Sequence, residues 1–186
     1  MEDSRWGSYI HINNIIMLIS KDTIKSKNLI SSYINYDIQT QQAGFDFTVE
    51  KIYSWTGKGS LDFDNTNRVL PKISEIKSTD GWYDLKKGNY MVEFKEKLDI
   101  PYNIAGYIIS RTSLNRSGAA IIAGLIDPGY QGYITTILEV LNKNGINIKK
   151  GARIAQSIYF STDSADLDNI YNGFYKKKSI KKIHNI

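Results

Sequence analysis

Short runs of hydrophobic and β-branched residues recur along most of the chain, and turn residues separate them. Runs of this length rich in Val, Ile, Tyr, Phe and Thr are typical of β-strands. Their spacing favours an all-β sandwich or barrel. The predicted strands are 45–55, 89–94, 105–111, 119–126, 132–142 and 152–160.

A helical signal occurs only near the N-terminus, in residues 20–34. Ser20 is a suitable N-cap and Asp22 would lie in the first turn, so we predict one short helix there. Residues 56–67 contain glycines and short polar residues, and are predicted to form a loop or a hairpin tip.

The chain has 186 residues, of which 41% are hydrophobic and 23% charged. This balance is typical of a soluble globular protein, and the length suffices for one core. The absence of cysteine excludes disulfides, thiolate metal sites and a cysteine nucleophile. The two histidines, His11 and His184, lie near opposite ends, so we expect neither a histidine triad nor a zinc site for deamination.

The pattern predicts a single domain at 17–175, with an N-terminal extension at 1–16 and a basic C-terminal tail at 176–186. The tail holds five lysines and accounts for the net charge of +5, because the other 19 basic residues balance 19 acidic ones. A solvated terminus explains so short a run better than a nucleic-acid contact does. The apolar run 15–19 is too short for a signal peptide or a membrane span, so we predict a cytoplasmic protein without membrane contact.

One stretch, "AGLIDPGYQGYITTILEV" at 123–140, places a single carboxylate at the tip of a predicted hairpin. Asp127 follows an apolar run and precedes Pro-Gly, and Tyr130 lies three residues later. Taken alone, Asp before Pro-Gly is a common turn and carries no function.

Three further polar stretches stand out between the strands: "QAGFD" (42–46), "SRTSLNRSG" (110–118) and "GARIAQ" (151–156). In the second, a guanidinium and two hydroxyls occur together at a strand end. These groups, with free backbone N–H groups in a turn, are suited to bind phosphate oxygens. The residues are Arg111, Thr112 and Ser113.

In this order and at these spacings, the four stretches resemble the motifs of the trimeric dUTPase and dCTP deaminase superfamily, and are closest to dUTPase. The resemblance covers residues 17 to 178. It implies a distorted jelly-roll or β-barrel subunit, a homotrimer, and active sites shared between subunits. It also implies hydrolysis of dUTP to dUMP and pyrophosphate.

The resemblance assigns roles to individual residues. Asp127 would orient the attacking water and accept its proton. Arg111 would contact phosphate or brace Asp127. Tyr130 would lie against the deoxyribose and Phe174 would stack on the base. The remaining expected substrate contacts are Thr112, Ser113, Arg116, Gly124, Leu125, Ile126 and Gln156.

The implied cofactor is Mg²⁺, held mainly by substrate phosphates and water rather than by a protein cage. Asp46 is expected near the phosphate end of the nucleotide site. There it would contact Mg²⁺ at most through a water molecule. Arg153 is expected to support the subunit interface or the barrel.

Two other functions stay open. A dCTP deaminase needs a glutamate five residues after the glycine equivalent to Gly132, but Ile137 occupies that position. Glu139 lies two residues later on the same strand face, so a bulge would bring it into the site for deamination or for a bifunctional reaction. The chain could also form a nucleotide-sensing regulatory trimer without catalysis, although all motif residues for hydrolysis are present.

Overall fold

The computed structural model of the protein describes residues 17–162 and consists mainly of β-strands. The helices are α1 (Lys21–Ser26), α2 (Tyr36–Gln39) and α3 (Thr112–Arg116). The strands are β1 (Ile30–Ser31), β2 (Thr40–Gln41), β3 (Gly44–Thr56), β4 (Lys72–Glu75), β5 (Trp82–Leu85), β6 (Gly88–Asp99), β7 (Ile104–Ser110), β8 (Ala119–Ile122), β9 (Leu125–Ile126), β10 (Gln131–Val140), β11 (Ile146–Lys149) and β12 (Arg153–Ser161). The extension 1–16 and the tail 176–186 lie outside the described residues.

Most strands join one antiparallel sheet in the order β8–β10–β6–β3–β12–β7–β9, while β5 and β11 pair separately. β1 is added to β6, and both β2 and β4 are added to β3. The long strand β3 connects the two halves, because residues 45–48 pair with β12 and residues 49–53 pair with β6. Its register shifts between Val49 and Lys51, a bulge of the kind that bends a strand. The sheet therefore curls, which confirms the predicted all-β, barrel-like fold.

The core forms on the concave face of this sheet, where alternate residues of β3 and β6 point inward. Phe45, Phe47 and Val49 of β3 are fully buried. Phe47 packs edge-on against Phe94 of β6, with ring centroids 5.4 Å apart. Full burial of each such side chain contributes about 1.5–3 kcal/mol, so this alternation holds β3 in one register.

The six predicted strands are confirmed as β3, β6, β7, β8 with β9, β10 and β12, although the predicted run 119–126 is two strands rather than one. The predicted loop at 56–67 is also confirmed, within the connection from β3 to β4. α1 is capped as predicted, since Ser20 Oγ accepts a hydrogen bond from Thr23 N at 3.4 Å. It ends at Ser26, well before the predicted limit of 34. The four-residue strands β4, β5 and β11 and the helices α2 and α3 were not predicted.

No helix within residues 17–162 is long and apolar enough to cross a membrane.

Candidate active site

A pocket of about 570 Å³ opens between the β8–β10 connection and the neighbouring sheet face. Five of the residues predicted to contact substrate or water line it: Gly124, Leu125, Ile126, Asp127 and Tyr130. The volume lies in the range of small-molecule sites. We refer to it below as the base pocket.

A type II turn sets the direction of Asp127. Tyr130 N donates to Asp127 O at 3.1 Å, with Pro128 and Gly129 between them. Gly129 has φ = +79°, which a type II turn requires at its third residue and which glycine adopts without strain. Within the described residues no hydrogen bond or ion pair engages the Asp127 carboxylate.

The strands on either side of this turn do not pair with each other, so the predicted hairpin with Asp127 at its tip is wrong in detail. β9 pairs with β7, while β10 pairs with β6 and β8. The hairpin is formed by β8 and β10, and β9 and the turn lie in the connection between them. Ala123 and Gly124 separate β8 from β9. The backbone N–H and C=O groups of β9 then form their hydrogen bonds with the edge of β7.

Tyr130 and Gly124 shape the two sides of the pocket. Tyr130 Oη donates to Tyr133 O at 2.8 Å, which fixes the phenol ring at the wall. At Gly124, an added Cβ would meet no protein atom within 4 Å. The space beside Gly124 is therefore open at the backbone.

An apolar wall that the sequence analysis missed completes the base pocket. Trp55 of β3 and Met91 of β6 lie on it, together with Leu70 and Pro71 from the end of the β3–β4 loop. Trp55 and Met91 are half-buried residues of these two strands, and the sequence predicts no role for either. No motif marks them, and only the pairing of β3 with β6 brings them to the pocket.

Ile137 also lines the base pocket, and Glu139 does not. Ile137 pairs with Met91 across β10 and β6, whereas Glu139 pairs with Asn89, farther along the strand. The irregularity of β10 lies between Tyr133 and Thr135, upstream of both residues, so it does not shift Glu139 into the pocket. In the described part of the chain, Glu139 therefore lies outside the base pocket.

A second cluster forms where β3, β7 and β12 meet, around the buried carboxylate of Asp46. Asp46 is 1% exposed, and its Oδ2 accepts from Arg111 Nε at 3.0 Å, Arg153 Nη1 at 3.1 Å and Gln41 Nε2 at 3.3 Å. Burial raises the pKa of Asp46 above its usual range, while the charges of Arg111 and Arg153 oppose that rise. Its Oδ1 is buried without a partner among the described residues. We call Asp46, Arg111 and Arg153 the arginine cluster.

Further hydrogen bonds hold both guanidinium groups in place. Arg111 Nη1 donates to Arg153 O at 3.0 Å, and Arg153 Nη1 donates to Ile38 O at 2.7 Å. Arg153 therefore connects β12 to the segment before β2, in agreement with its predicted supporting role in the barrel. The structure places Arg111 against Asp46 rather than against Asp127.

Four other predicted substrate contacts lie beside this cluster. Thr112, Ser113 and Arg116 belong to α3, which follows Arg111 directly, and their side chains are exposed. The buried side chain of Leu114 attaches this short helix to the core. Gln156 pairs with Asp46 across β12 and β3, next to Gly44. A Cβ at Gly44 would overlap the Ser157 carbonyl oxygen, which explains the glycine in the "AGFD" stretch.

The structure of one chain thus brings the predicted site residues together as two separate sets. The base pocket contains Asp127 and Tyr130 but neither Asp46, Arg111 nor Gln156. Phe174 lies outside the described residues. Within residues 17–162 no three His, Cys, Asp or Glu side chains are grouped to hold a metal ion.

The family model for dCTP deaminase-like proteins matches residues 18–162. The deoxyuridine 5'-triphosphate nucleotidohydrolase of Methanocaldococcus jannaschii is 37% identical over 162 residues, covering 86% of this chain and 99% of the relative. The probable enzyme of the same name from Methanosarcina barkeri is 34% identical over 155 residues, covering 83% and 90%.

Among solved structures, the 2'-deoxycytidine 5'-triphosphate deaminase from Agrobacterium tumefaciens is similar, with a TM-score of 0.59 and 18% identity over 80% of this chain. The chain spans about half of that protein, 49% of its length, and the likeness shows the fold alone. The match to the family model covers every residue from the N-terminal helix to the last strand. The chain belongs to the dCTP deaminase-like family.

Proposed function

We propose that this protein hydrolyses dUTP to dUMP and pyrophosphate. One observation carries the proposal: the base pocket contains a carboxylate free of partners in the described chain, Asp127, and an apolar residue, Ile137, where a deaminase would need its glutamate. The relatives at 34–37% identity, whose names describe dUTP hydrolysis, support the same reaction.

The backbone at 124–126 is suited to read a uracil ring. Uracil presents an acceptor, a donor and an acceptor along its pairing edge, whereas cytosine presents a donor in place of the O4 acceptor. The ladder between β9 and β7 holds Leu125 and Ile126 in fixed positions, directly after Gly124. A cytosine would leave buried polar groups unpaired, at a cost of about 1–3 kcal/mol for each group.

Asp127 would act on the water that attacks the α-phosphorus. A bond forms between the water oxygen and this phosphorus, the bond to the oxygen bridging to the β-phosphorus breaks, and pyrophosphate leaves in line. The Asp127 carboxylate accepts the proton released by the water. Because its position is set by the rigid turn to Tyr130, little reorientation is needed on the way to the transition state.

The arginine cluster would bind the phosphates. Arg111 uses Nε and Nη1 in contacts with the protein, which leaves one Nη1 and both Nη2 hydrogens among its five donors for phosphate oxygens. Thr112, Ser113, Arg116 and Gln156 would add contacts around it. Since the cluster and the base pocket are separate in one chain, we propose that the pocket of one subunit meets the cluster of another in a homotrimer.

Mg²⁺ would enter this site with the substrate. The described residues offer no group of three metal-binding side chains, and Oδ2 of Asp46 is engaged by two arginines. This donor set fits an ion held by triphosphate oxygens and water, which suits the octahedral preference of Mg²⁺. When bound, the ion would neutralise charge on the triphosphate. The residues of the chain would orient the triphosphate.

The test is to offer dUTP, dCTP and dTTP in parallel and to identify the products. We expect pyrophosphate from dUTP alone, and a loss of kcat of at least about 100-fold in Asp127→Asn with dUTP binding retained. Asp99→Asn is the matched control, because Asp99 is exposed and its side chain hydrogen-bonds only to Gln131 among the described residues, outside the pocket. Ammonia released from dCTP would overturn the proposal, and dUTP binding without any product would instead indicate a nucleotide-sensing protein.

A further inference from the structure

A second buried carboxylate, Glu96, lies in the core behind the arginine cluster. Its side chain is 0% exposed and points inward from β6. Glu96 Oε2 accepts from Thr48 N at 2.9 Å, and Oε1 accepts from Thr48 Oγ1 at 2.6 Å and from Gln39 Nε2 at 2.7 Å. No lysine or arginine of residues 17–162 pairs with it.

Gln39 joins this carboxylate to the arginine cluster. Its Nε2 donates both to Glu96 and to the carbonyl oxygen of Asp46, the latter at 2.9 Å. Its Oε1 accepts from Ile34 N at 2.8 Å and from Asn35 N at 3.0 Å. Gln39 is 2% exposed, and these four hydrogen bonds use the full capacity of its amide.

The position of Glu96 is costly for stability alone. The residues two positions away on the same strand face, Phe94 and Leu98, are fully buried and apolar. An unpaired carboxylate in that layer must be compensated entirely by hydrogen bonds, and an apolar side chain of similar size would avoid the cost of desolvation. The network therefore serves geometry more than stability.

The geometry that it fixes is that of Asp46. Thr48 and Asp46 are alternate residues of β3, and Glu96 holds the first directly and the second through Gln39. Asp46 in turn orients Arg111 and Arg153 by ion pairs of 3.0 and 3.1 Å. A continuous chain of contacts thus runs from Glu96 to the guanidinium groups.

We propose that Glu96 is a positioning residue for phosphate binding, which acts through Gln39, Thr48 and Asp46 on Arg111 and Arg153. The inference rests on the proposed function, in which the arginine cluster binds the phosphates of the nucleotide. It predicts that a change at Glu96 affects the phosphate half of the substrate and spares the nucleoside half, which the base pocket binds.

The experiment measures two affinities by calorimetry, with pyrophosphate as the probe for the arginine cluster and deoxyuridine as the probe for the base pocket. In Glu96→Gln, the new amide presents N–H groups to donors, so the network must rearrange. We expect the Kd for pyrophosphate to rise roughly 3- to 30-fold, the range of couplings carried by such networks, with the Kd for deoxyuridine unchanged. The KM for dUTP should rise likewise, with kcat changed by less than about threefold.

Glu75→Gln is the control for removal of a carboxylate, because Glu75 is exposed and pairs only with Lys51 in the described chain. Thr48→Val is the second variant, because it removes the hydroxyl donor to Glu96 and keeps the carboxylates of Glu96 and Asp46. It should also weaken pyrophosphate binding and spare deoxyuridine binding, but to a smaller degree. Equal losses for both probes, or no loss for either, in a folded variant would overturn the inference, as would a wild-type protein that does not bind pyrophosphate. If the wild type binds pyrophosphate but hydrolyses none of the nucleotides, the proposed function fails and this inference stands.

Discussion

Asp46 and Arg111 form an ion pair of 3.0 Å between Oδ2 and Nε, in which the carboxylate is almost fully buried and the guanidinium is about one quarter exposed. The arginine is thus held from its inner side, and its outer donors remain available to a ligand. A buried partner restricts the side chain far more than a surface ion pair would. Asp46 is therefore the support of the two arginines that we propose to bind phosphate.

Asp46→Asn should reveal this support in two measurements. The amide keeps one acceptor oxygen but loses the charge opposite Arg111 and Arg153, so we expect the free energy of unfolding to fall by about 1–3 kcal/mol. The KM for dUTP should rise about tenfold, because the guanidinium groups are no longer held in place. Asp99→Asn, measured by the same urea titration and assay, should stay within about 0.5 kcal/mol of the wild type.

The long strands were predictable because they contain runs rich in Val, Ile, Tyr, Phe and Thr, which are typical of β-strands. In β3 such a run predicts residues 45–55, within one residue of the observed Gly44–Thr56 at each end. The strands β4, β5 and β11 are four residues long, too short for a period of two to be distinguished from chance. Their pairing depends on partners distant in the chain, which no local pattern records.

The site was predictable where side-chain type and turn chemistry coincide, as in Asp127 before Pro-Gly. It was not predictable where a polar residue is buried. Glu96 and Gln39 look like solvent-facing positions in the sequence, since carboxylates and amides are mostly exposed in proteins. Only the folded chain shows that both are buried, Glu96 on β6 beside β3 and Gln39 at the end of α2. The same holds for Trp55, which the pairing of strands turns towards the pocket.

Gly124→Ala should separate binding from folding. The added methyl group meets no protein atom within 4 Å, so the free energy of unfolding should change by less than about 0.5 kcal/mol. It would, however, occupy the space through which the base approaches the backbone, and the KM for dUTP should rise at least about tenfold.

Gly57→Ala gives the opposite pattern and serves as the contrasting control. Gly57 also has open space around it, but its φ of +87° strains an alanine by about 1–2 kcal/mol. This variant should lose stability and keep its KM. A Gly124→Ala protein that unfolds easily but binds dUTP normally would show that the backbone at 124 does not face the nucleotide.

Glu139→Gln should leave dUTP hydrolysis within about twofold of the wild type, because Glu139 pairs with Asn89 and does not line the base pocket.

Ile137→Glu should raise the KM for dUTP at least about tenfold, since it places a charge on the apolar wall beside the base. Steady-state kinetics with dUTP test both variants. A loss of activity in Glu139→Gln that exceeds the loss in Ile137→Glu would mean that the strand register of β10 differs in the assembled site.

Glu96 should also make the stability of the protein depend on pH in a direction opposite to that of most carboxylates. Burial raises the pKa of Glu96 above its ordinary value of 4.5, and the hydrogen bonds from Thr48 and Gln39 only partly oppose that rise. The folded state therefore holds the proton more tightly than the unfolded state. The resulting stabilisation is fully present below pH 4.5 and is lost as the pH rises through the raised pKa.

The comparison with Glu96→Gln isolates this effect, because the amide does not titrate while Asp46 and the other carboxylates are common to both proteins. We expect the unfolding free energy of the wild type, minus that of the variant, to fall as the pH rises from 4.5 and then to become constant. The slope within the window should reach at most about 1.4 kcal/mol per pH unit. Urea unfolding from about pH 4 to about pH 8 measures it. A difference that grows with pH would mean that the three hydrogen bonds outweigh burial and that Glu96 is ionised in the folded core at acidic pH.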